Sequence, residues 1–322
     1  MKAVALFSGG LDSILAVKLI KEQGIEVIGV TFTTPFFDSK NAEVMAKKIN
    51  LPLTVRDITD EHLKIVKNPK HGYGKNMNPC LDCHILMAKK AGDFMREKGA
   101  YFIISGEVLG ERPMSQNKAA LRVVDKESGY DGYMLRPLSA KLFPLTIPEE
   151  KGWVDRERLL AIQGRSRKIQ LKLADKYDLK DFPTPAGGCL LTDATFSERL
   201  KALFKINSEP DANDLELLKY GRHFPMDDVL IIISRNQGEN ERLMELAKGS
   251  DLIFQVKGYP GPKTILRGKA DKEILEKAAR FTVRYGKAKD LSSVEVWYWH
   301  PGKERKSIVV SVTDDLCYKP PV

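Results

Sequence analysis

Two groups of residues in this 322-residue chain have the types and spacing to do chemistry. The first is Ser8-Gly9-Gly10-Leu11-Asp12-Ser13, placed directly after an apolar run. Glycines there let backbone N–H groups approach phosphate oxygens, and a helix starting at the loop adds its positive dipole end. The Ser8 and Ser13 hydroxyls can donate to the same oxygens, and Asp12 suits a Mg²⁺ ion. The loop lacks the Gly-Lys-Ser/Thr ending of the Walker loop, which disfavours simple γ-phosphate transfer. The plain alternative is an ordinary glycine turn before a helix.

The second group is sulfur. Pro79-Cys80-Leu81-Asp82-Cys83 precedes a helical stretch, and Gly187-Gly188-Cys189 lies in a Pro/Gly turn about a hundred residues later. A Cys-x-x-Cys at a helix N-terminus has lowered thiol pKa values, because the dipole and the free amides stabilise thiolates. Cys80, Cys83 and Cys189 allow three readings. They could bind three irons of a [4Fe–4S] cluster and leave the fourth open to hydrosulfide. They could carry a persulfide with a resolving cysteine. They could belong to a zinc site, although His84 adjoins Cys83 and is a poor fourth ligand, and Cys317 is more distant.

Strands and helices must position these groups. Buried strands are expected over 3–7, 26–32, 53–57 and 101–105, with helices over 11–23, 41–49 and 85–98. Apolar, β-branched runs alternating with helices predict an α/β fold, a doubly wound and mostly parallel sheet covered on both faces. Residues 154–177 read as a helix broken near Gly164, inside the basic stretch 151–172. The last third reads as a smaller α+β domain: strands over 229–233, 252–256, 294–299 and 307–312, and helices over 240–247 and 272–285. The expected division is 1–207 and 208–322.

A chain with 43% apolar residues and 24 glycines can bury a core, which excludes intrinsic disorder. No apolar run reaches spanning length and no leader pattern precedes the first strand, so a cytoplasmic protein without membrane contact is expected. The net charge of +9 favours a polyanionic partner.

The loop resembles that of the PP-loop ATP pyrophosphatase superfamily. The resemblance implies that ATP is bound through its pyrophosphate by Ser8, Gly9, Gly10, Asp12 and Ser13. It also implies that Thr31, Phe32 and Thr33 lie beside the adenine, and that a carbonyl oxygen attacks the α-phosphate. Ser105-Gly106-Glu107-Val108-Leu109-Gly110, then Ser115-Gln116, then Leu135-Arg136-Pro137-Leu138 are similar to a series in the tRNA 4-thiouridine synthetases. Here Ser105 stands for the usual Thr and Glu111 for the usual Gln. This likeness implies that Gly106 belongs to the nucleotide site, and that Lys118 and Arg122 are weaker candidates for substrate contact. One branch of PP-loop thiolases resembles the arrangement of Cys-x-x-Cys plus a later cysteine, and it binds a cluster.

The C-terminal third is similar to the RNA-binding domain of NFACT proteins, through Lys219-Tyr220-Gly221-Arg222-His223-Phe224, Ser234-Arg235-Asn236-Gln237-Gly238 and Gly258-Tyr259-Pro260-Gly261-Pro262. The likeness implies RNA contacts from Arg222, His223, Arg235 and Asn236, with stacking on Tyr259 or Trp297. With the loop so near Met1, the RNA grip is expected from this domain and from the basic stretch.

Together the resemblances imply ATP-dependent thiolation of a uridine in tRNA or another structured RNA. Asp12, Cys80, Cys83 and Cys189 would be catalytic, and sulfur would come from sulfide or a cysteine desulfurase. The rivals are an RNA-binding factor without chemistry and a PP-loop ligase acting on a small carboxylate.

Overall fold

A computed structural model describes residues 1–183 and 188–311. The expected Gly187, Cys317 and the end of the strand over 307–312 lie outside the described residues. The chain divides into two units, Met1–Thr192 and Asp193–Val322.

The first unit contains β1 (Lys2–Leu6), α1 (Leu11–Lys21), β2 (Glu26–Thr33), α2 (Lys40–Lys48), β3 (Leu53–Asp57), α3 (Thr59–Lys67), α4 (Cys80–Glu97), β4 (Phe102–Ser105), α5 (Lys118–Glu127), β5 (Met134–Leu135), α6 (Ile147–Glu150) and α7 (Lys168–Lys176). Its five strands pair in parallel in the order β3-β2-β1-β4-β5. Successive side chains of a strand point to opposite faces, and β1 shows it. Ala3, Ala5 and Phe7 join Ile14, Val17 and Ile20 of α1 on one side, while Val4 joins Leu86 and Ala91 of α4 on the other. Both faces are covered, as the alternating pattern implies. The chain winds outward from β1 to β3, then returns to β4 on the other side of β1. That reversal makes β1/β4 the switch point, where open α/β sheets bind ligands beyond the carboxyl ends of their strands.

The segment expected as a broken helix over 154–177 is helical mainly in α7. Residues 159–167 are irregular, because Gly164 takes a left-handed φ of 82° and Gln163 bridges to Leu109.

The second unit contains α8 (Ala194–Ile206), α9 (Ala212–Leu217), β6 (Arg222–Met226), β7 (Val229–Ile233), α10 (Gln237–Leu246), β8 (Leu252–Val256), β9 (Thr264–Arg267), α11 (Lys272–Arg284), β10 (Ser293–Trp299) and β11 (Lys306–Ser311). The strands form one antiparallel sheet, ordered β11-β10-β8-β9-β7-β6. Val229, Ile231 and Ile233 meet Ala278 and Phe281 of α11 on one face. Leu230 and Ile232 meet Leu217 of α9 and Leu243 of α10 on the other. Residues 193–206, expected in the first domain, form the start of this unit; α8 packs on β6 and β7. Among the described residues no helix is long and apolar enough to cross a membrane.

Candidate active site

The loop 8–13 leaves β1 at the switch point. Gly9 has a φ of 76°, a conformation that L side chains rarely adopt, and Gly10 caps α1. The Gly10 amide donates to Ser8 Oγ at 3.3 Å, Ser13 Oγ donates to the Gly10 carbonyl at 2.8 Å, and Ser8 Oγ lies 3.4 Å from Ser13 Oγ. Two hydroxyls and the unpaired amides of the first turn therefore gather at one mouth. Asp12 sits in that turn with its Oδ1 buried and without a partner. Burial raises its pKa, while the Arg167 charge, the Gln170 amide and the Arg112 charge oppose the rise. Gln170, on α7, is fully buried, and neither amide atom completes a geometric hydrogen bond. It lies close enough to favour the carboxylate all the same. These orphaned polar atoms suit a charged ligand and a Mg²⁺ ion.

Thr31, Phe32 and Thr33 end β2 at the same edge of the sheet, where Thr33 Oγ1 donates to Asp57 Oδ2 at 3.4 Å. Gly106 follows β4, across the switch point. A Cβ built on it would lie 2.5 Å from the Ser13 nitrogen and 2.6 Å from the Asp12 carbonyl carbon. Only glycine allows the two loops to touch.

The next residue, Glu107, belongs to the sulfur half. Its Oε1 lies 2.9 Å from His84 Nδ1, and its Oε2 accepts from Arg136 Nε at 3.0 Å. Arg136 is buried and also makes a bidentate pair with Asp125, at 2.8 and 3.0 Å. Against its burial, the Arg136 charge and the His84 contact hold Glu107 down to about 2. His84 contacts Cys80 as well as Glu107, and these contacts outweigh burial and raise it to about 10. Burial pushes Cys80 up, but hydrogen bonds to His84 and Ser115 and the His84 and Arg112 charges hold it below the ordinary thiol value.

Cys80 is the first residue of α4, five residues before the expected helix start, and directly follows Pro79 at the N-cap position. Cys83 and His84 lie three and four residues on, so all three share a face. Cys189 is brought to them by the turn that follows it. The Leu190 amide donates to the Phe36 carbonyl at 3.0 Å, and Asn76 Nδ2 donates to the Thr192 carbonyl at 2.7 Å. Burial raises Cys189 to about 11 and raises Cys83 further; the charges of Cys189 and Cys80 add to the rise at Cys83. The three thiols therefore lie near enough for their charges to act on one another. Among the described residues, however, no three His, Cys, Asp or Glu side chains form a group able to hold a metal ion.

Arg112 joins the halves, since its charge bears on both Asp12 and Cys80. Lys118 and Arg122 line a separate cavity of about 780 Å³ with Arg136 and Phe143, and Arg122 pairs with Asp131 at 2.5 Å.

Sequence reasoning missed His84 as the partner of Cys80, although a spacing of four on one helix signals it. It also missed Arg112, Arg167 and Gln170. The basic stretch read as a solvated face or an RNA grip, yet Gln170 and Ala174 turn inward and are buried.

In the second unit the expected RNA contacts are occupied. His223 is fully buried, its Nε2 lies 2.8 Å from the Tyr220 carbonyl, and burial presses its pKa down to about 3. Arg235 is paired with Glu239 at 2.5 Å, Asn236 caps α10, and Arg222 lies 4.7 Å over the Tyr285 ring. Tyr259 is exposed and Trp297 half-buried.

Comparison with known families gives one match within each unit. Residues 1–141 match the family described as thiamine biosynthesis protein (ThiI), and residues 221–316 match the NFACT protein RNA binding domain. The first unit therefore carries a ThiI-type domain of the PP-loop class, and the second an NFACT-type domain.

Similar curated proteins include a tRNA-specific 2-thiouridylase MnmA of Bradyrhizobium sp. (strain ORS 278), 26% identical over 56% of this chain and 49% of that one. Another, MnmA 1 of Caldanaerobacter subterraneus subsp. tengcongensis, is 28% identical over 65% of this chain and 60% of that one. An uncharacterized protein, MJ1016, of Methanocaldococcus jannaschii is 30% identical over 43% and 47%. The chain spans about half the length of the curated relatives it matches. Among solved structures, a 4-thiouridine synthetase–RNA complex with bound ATP covers 68% of this chain and 52% of that one, at 16% identity and a TM-score of 0.39. That likeness is too faint to carry weight.

Proposed function

We propose that this protein is an ATP-dependent tRNA sulfurtransferase that replaces a uridine carbonyl oxygen with sulfur. One observation supports it above the rest: at the end of β4, Gly106 touches the phosphate loop while Glu107 holds His84 against Cys80. A nucleotide loop and a primed thiol are thus one peptide apart. An amide-forming ligase has no use for the second half.

In this reading Ser8–Ser13 bind the phosphates, Asp12 holds Mg²⁺, and Arg167 and Arg112 neutralise charge on the departing pyrophosphate. The uridine oxygen attacks the α-phosphorus; the new O–P bond forms as the P–O bond to pyrophosphate breaks. A sulfur nucleophile then attacks the activated carbon, and the C–O bond breaks as AMP leaves with the oxygen.

Cys80, Cys83 and Cys189 supply the sulfur. Thiols are the donors that a [4Fe–4S] cluster takes through three irons, and such a cluster would supply a coordination position for hydrosulfide, but the described residues do not group the three sulfurs into a metal-holding set. A second reading is favoured by the contact of Cys80 with His84, which singles out one thiol. There a Cys80 persulfide attacks through its terminal sulfur, Cys189 or Cys83 cleaves the S–S bond, and the resulting disulfide is reset by a dithiol reductant. In the cluster route the sulfur originates from sulfide or a cysteine desulfurase; in the persulfide route the Cys80 thiolate attacks the outer sulfur of a desulfurase's own persulfide, whose cysteine thiolate leaves.

The test is mass spectrometry of nucleosides from tRNA treated with ATP, a sulfur source and the anaerobically purified protein. Cys80→Ala should bind ATP normally and form no thiouridine; full thiolation by this variant would reject the cysteine assignment. Asp12→Ala should lose adenylation with the thiols unaffected. Iron content with a visible spectrum, against a persulfide mass shift on Cys80, separates the two sulfur routes.

A further inference from the structure

With His223, Arg235 and Asn236 engaged inside the second unit, its nucleic-acid face has to lie elsewhere. On β10, Trp297 and Trp299 stand two residues apart and share a face, opposite Gln255 and Ile253 of β8. The other face of this strand carries Val294 and Val296, which pack in the core with α11. On the tryptophan side Ile253 and Trp299 are buried, and Trp297 is half-buried. Towards the sheet edge the same side continues to Ser307 and to Val309, which is 66% exposed.

Cations converge on these two rings. Arg305, from the turn before β11, lies 5.0 Å from the Trp297 ring centre and 4.8 Å from that of Trp299. Lys263 lies 5.4 Å from the Trp299 ring and hydrogen-bonds to Gln255; Lys257 lies 6.0 Å from Trp297. Lys257 is neutralised by Glu295 at 2.7 Å, but among the described residues neither Lys263 nor Arg305 has a carboxylate partner. Burial and the nearby Arg305 charge hold Lys263 below its ordinary pKa. Two like charges brought together over indole faces are relieved by an anion that also carries a flat ring. A nucleotide is that ligand.

We propose that the Trp297 side of β8 and β10 binds an unpaired stretch of RNA, a base stacking on the half-buried Trp297 indole and its phosphates meeting Lys263 and Arg305. A base stacked on an aromatic side chain is worth more than an exposed cation–π contact, so Arg305 exchanges the Trp297 indole for a phosphate when RNA arrives. Paired RNA cannot offer free base faces to a sheet, so the surface selects loops and ends. The inference deepens the RNA reading above and rests on it for the choice of partner.

The test uses the full chain without ATP or a sulfur source, titrated with a single-stranded oligouridine and with a blunt RNA duplex of equal length. Tryptophan fluorescence and gel mobility are the readouts. Oligouridine should bind tighter than duplex and quench the fluorescence. Trp297→Ala should weaken it by roughly 5- to 150-fold, and Trp297→Phe, which keeps a stacking ring, should restore most of the loss. Arg305→Ala should lower the slope of log K against log salt by about 0.7. Unchanged oligouridine binding by Trp297→Ala, equal binding of duplex, or no binding of either RNA by the unaltered protein would each overturn the proposal; the last would give the face to a protein partner. Thiolation by a Trp297→Ala protein with normal tRNA affinity would remove this surface and leave the enzymatic reading standing. Loss of binding in that variant, without thiouridine from the unaltered protein, would do the reverse.

Discussion

Replacing Gly106 by alanine tests whether the nucleotide loop and the end of β4 form one site. The added Cβ would stand 2.5 Å from the Ser13 nitrogen, so one side must retreat by about 0.9 Å to reach an ordinary contact of 3.4 Å. The neighbour is backbone at the start of α1, which cannot swing aside as a side chain would. Overpacking of this kind costs about 1–3 kcal/mol of stability, and a displacement near 1 Å in a reacting geometry costs roughly 100-fold in rate. We therefore expect Gly106→Ala to remain folded, with a Tm lower by a few degrees. Its tRNA-dependent exchange of labelled pyrophosphate into ATP should fall about 100-fold. Gly249→Ala, where nothing lies within 4 Å, is the control. Wild-type exchange in Gly106→Ala would refute the reasoning, because it would mean that the two loops need not touch for adenylation.

Other outcomes follow from the same geometry. Arg167→Ala should weaken ATP binding by about 10- to 100-fold in calorimetry and leave AMP binding alone, since one charge-assisted hydrogen bond is worth roughly 1.5–3 kcal/mol; an equal loss for AMP would take the guanidinium away from the pyrophosphate. Arg136→Met should destabilise the first unit by about 3–5 kcal/mol in urea titration, because Glu107 and Asp125 would keep buried charges without a cation. His62 is buried between Phe36 and Phe37 with neither ring nitrogen partnered, and burial presses its pKa down to about 4. Stability gained by keeping it neutral is full above its unfolded pKa of about 6.5 and is lost as pH falls towards 4, on the order of 3 kcal/mol. His62→Phe should flatten that dependence; an unchanged urea midpoint profile across the window would contradict it.

The phosphate loop was legible because its signal is local: an apolar strand, a glycine pair and a helix start lie within a dozen residues. The parallel sheet was legible for the same reason, from β-branched runs alternating with helical ones. Short elements were not. Strand β9 has four residues between the turn at Gly258–Pro262 and the next helix, too short a run to stand out. Helices α3, α5 and α8 carry enough charge to pass for loop. Nearness of Cys189 to Cys80 and Cys83 could be suspected from chemistry alone, since the Leu190–Phe36 and Asn76–Thr192 bonds that bring it there span over a hundred residues. In the second unit, the likeness implied an RNA contact from His223, yet it lies on β6 with its side chain buried. The cations on the indoles come from three separate segments, and only strand register unites them.

The end of β4 sets a limit on how this domain can be remodelled. Residues 106 and 107 face different chemistries but are joined by a single peptide unit, whose length no mutation can tune. Insertions in the turns before α4 or after α5 would leave that spacing untouched. One extra residue between 106 and 107 would lengthen it by up to about 3.6 Å and uncouple the two halves together. Such a joint gives lineages freedom to exchange whatever surrounds it while holding the junction itself to a fixed gauge.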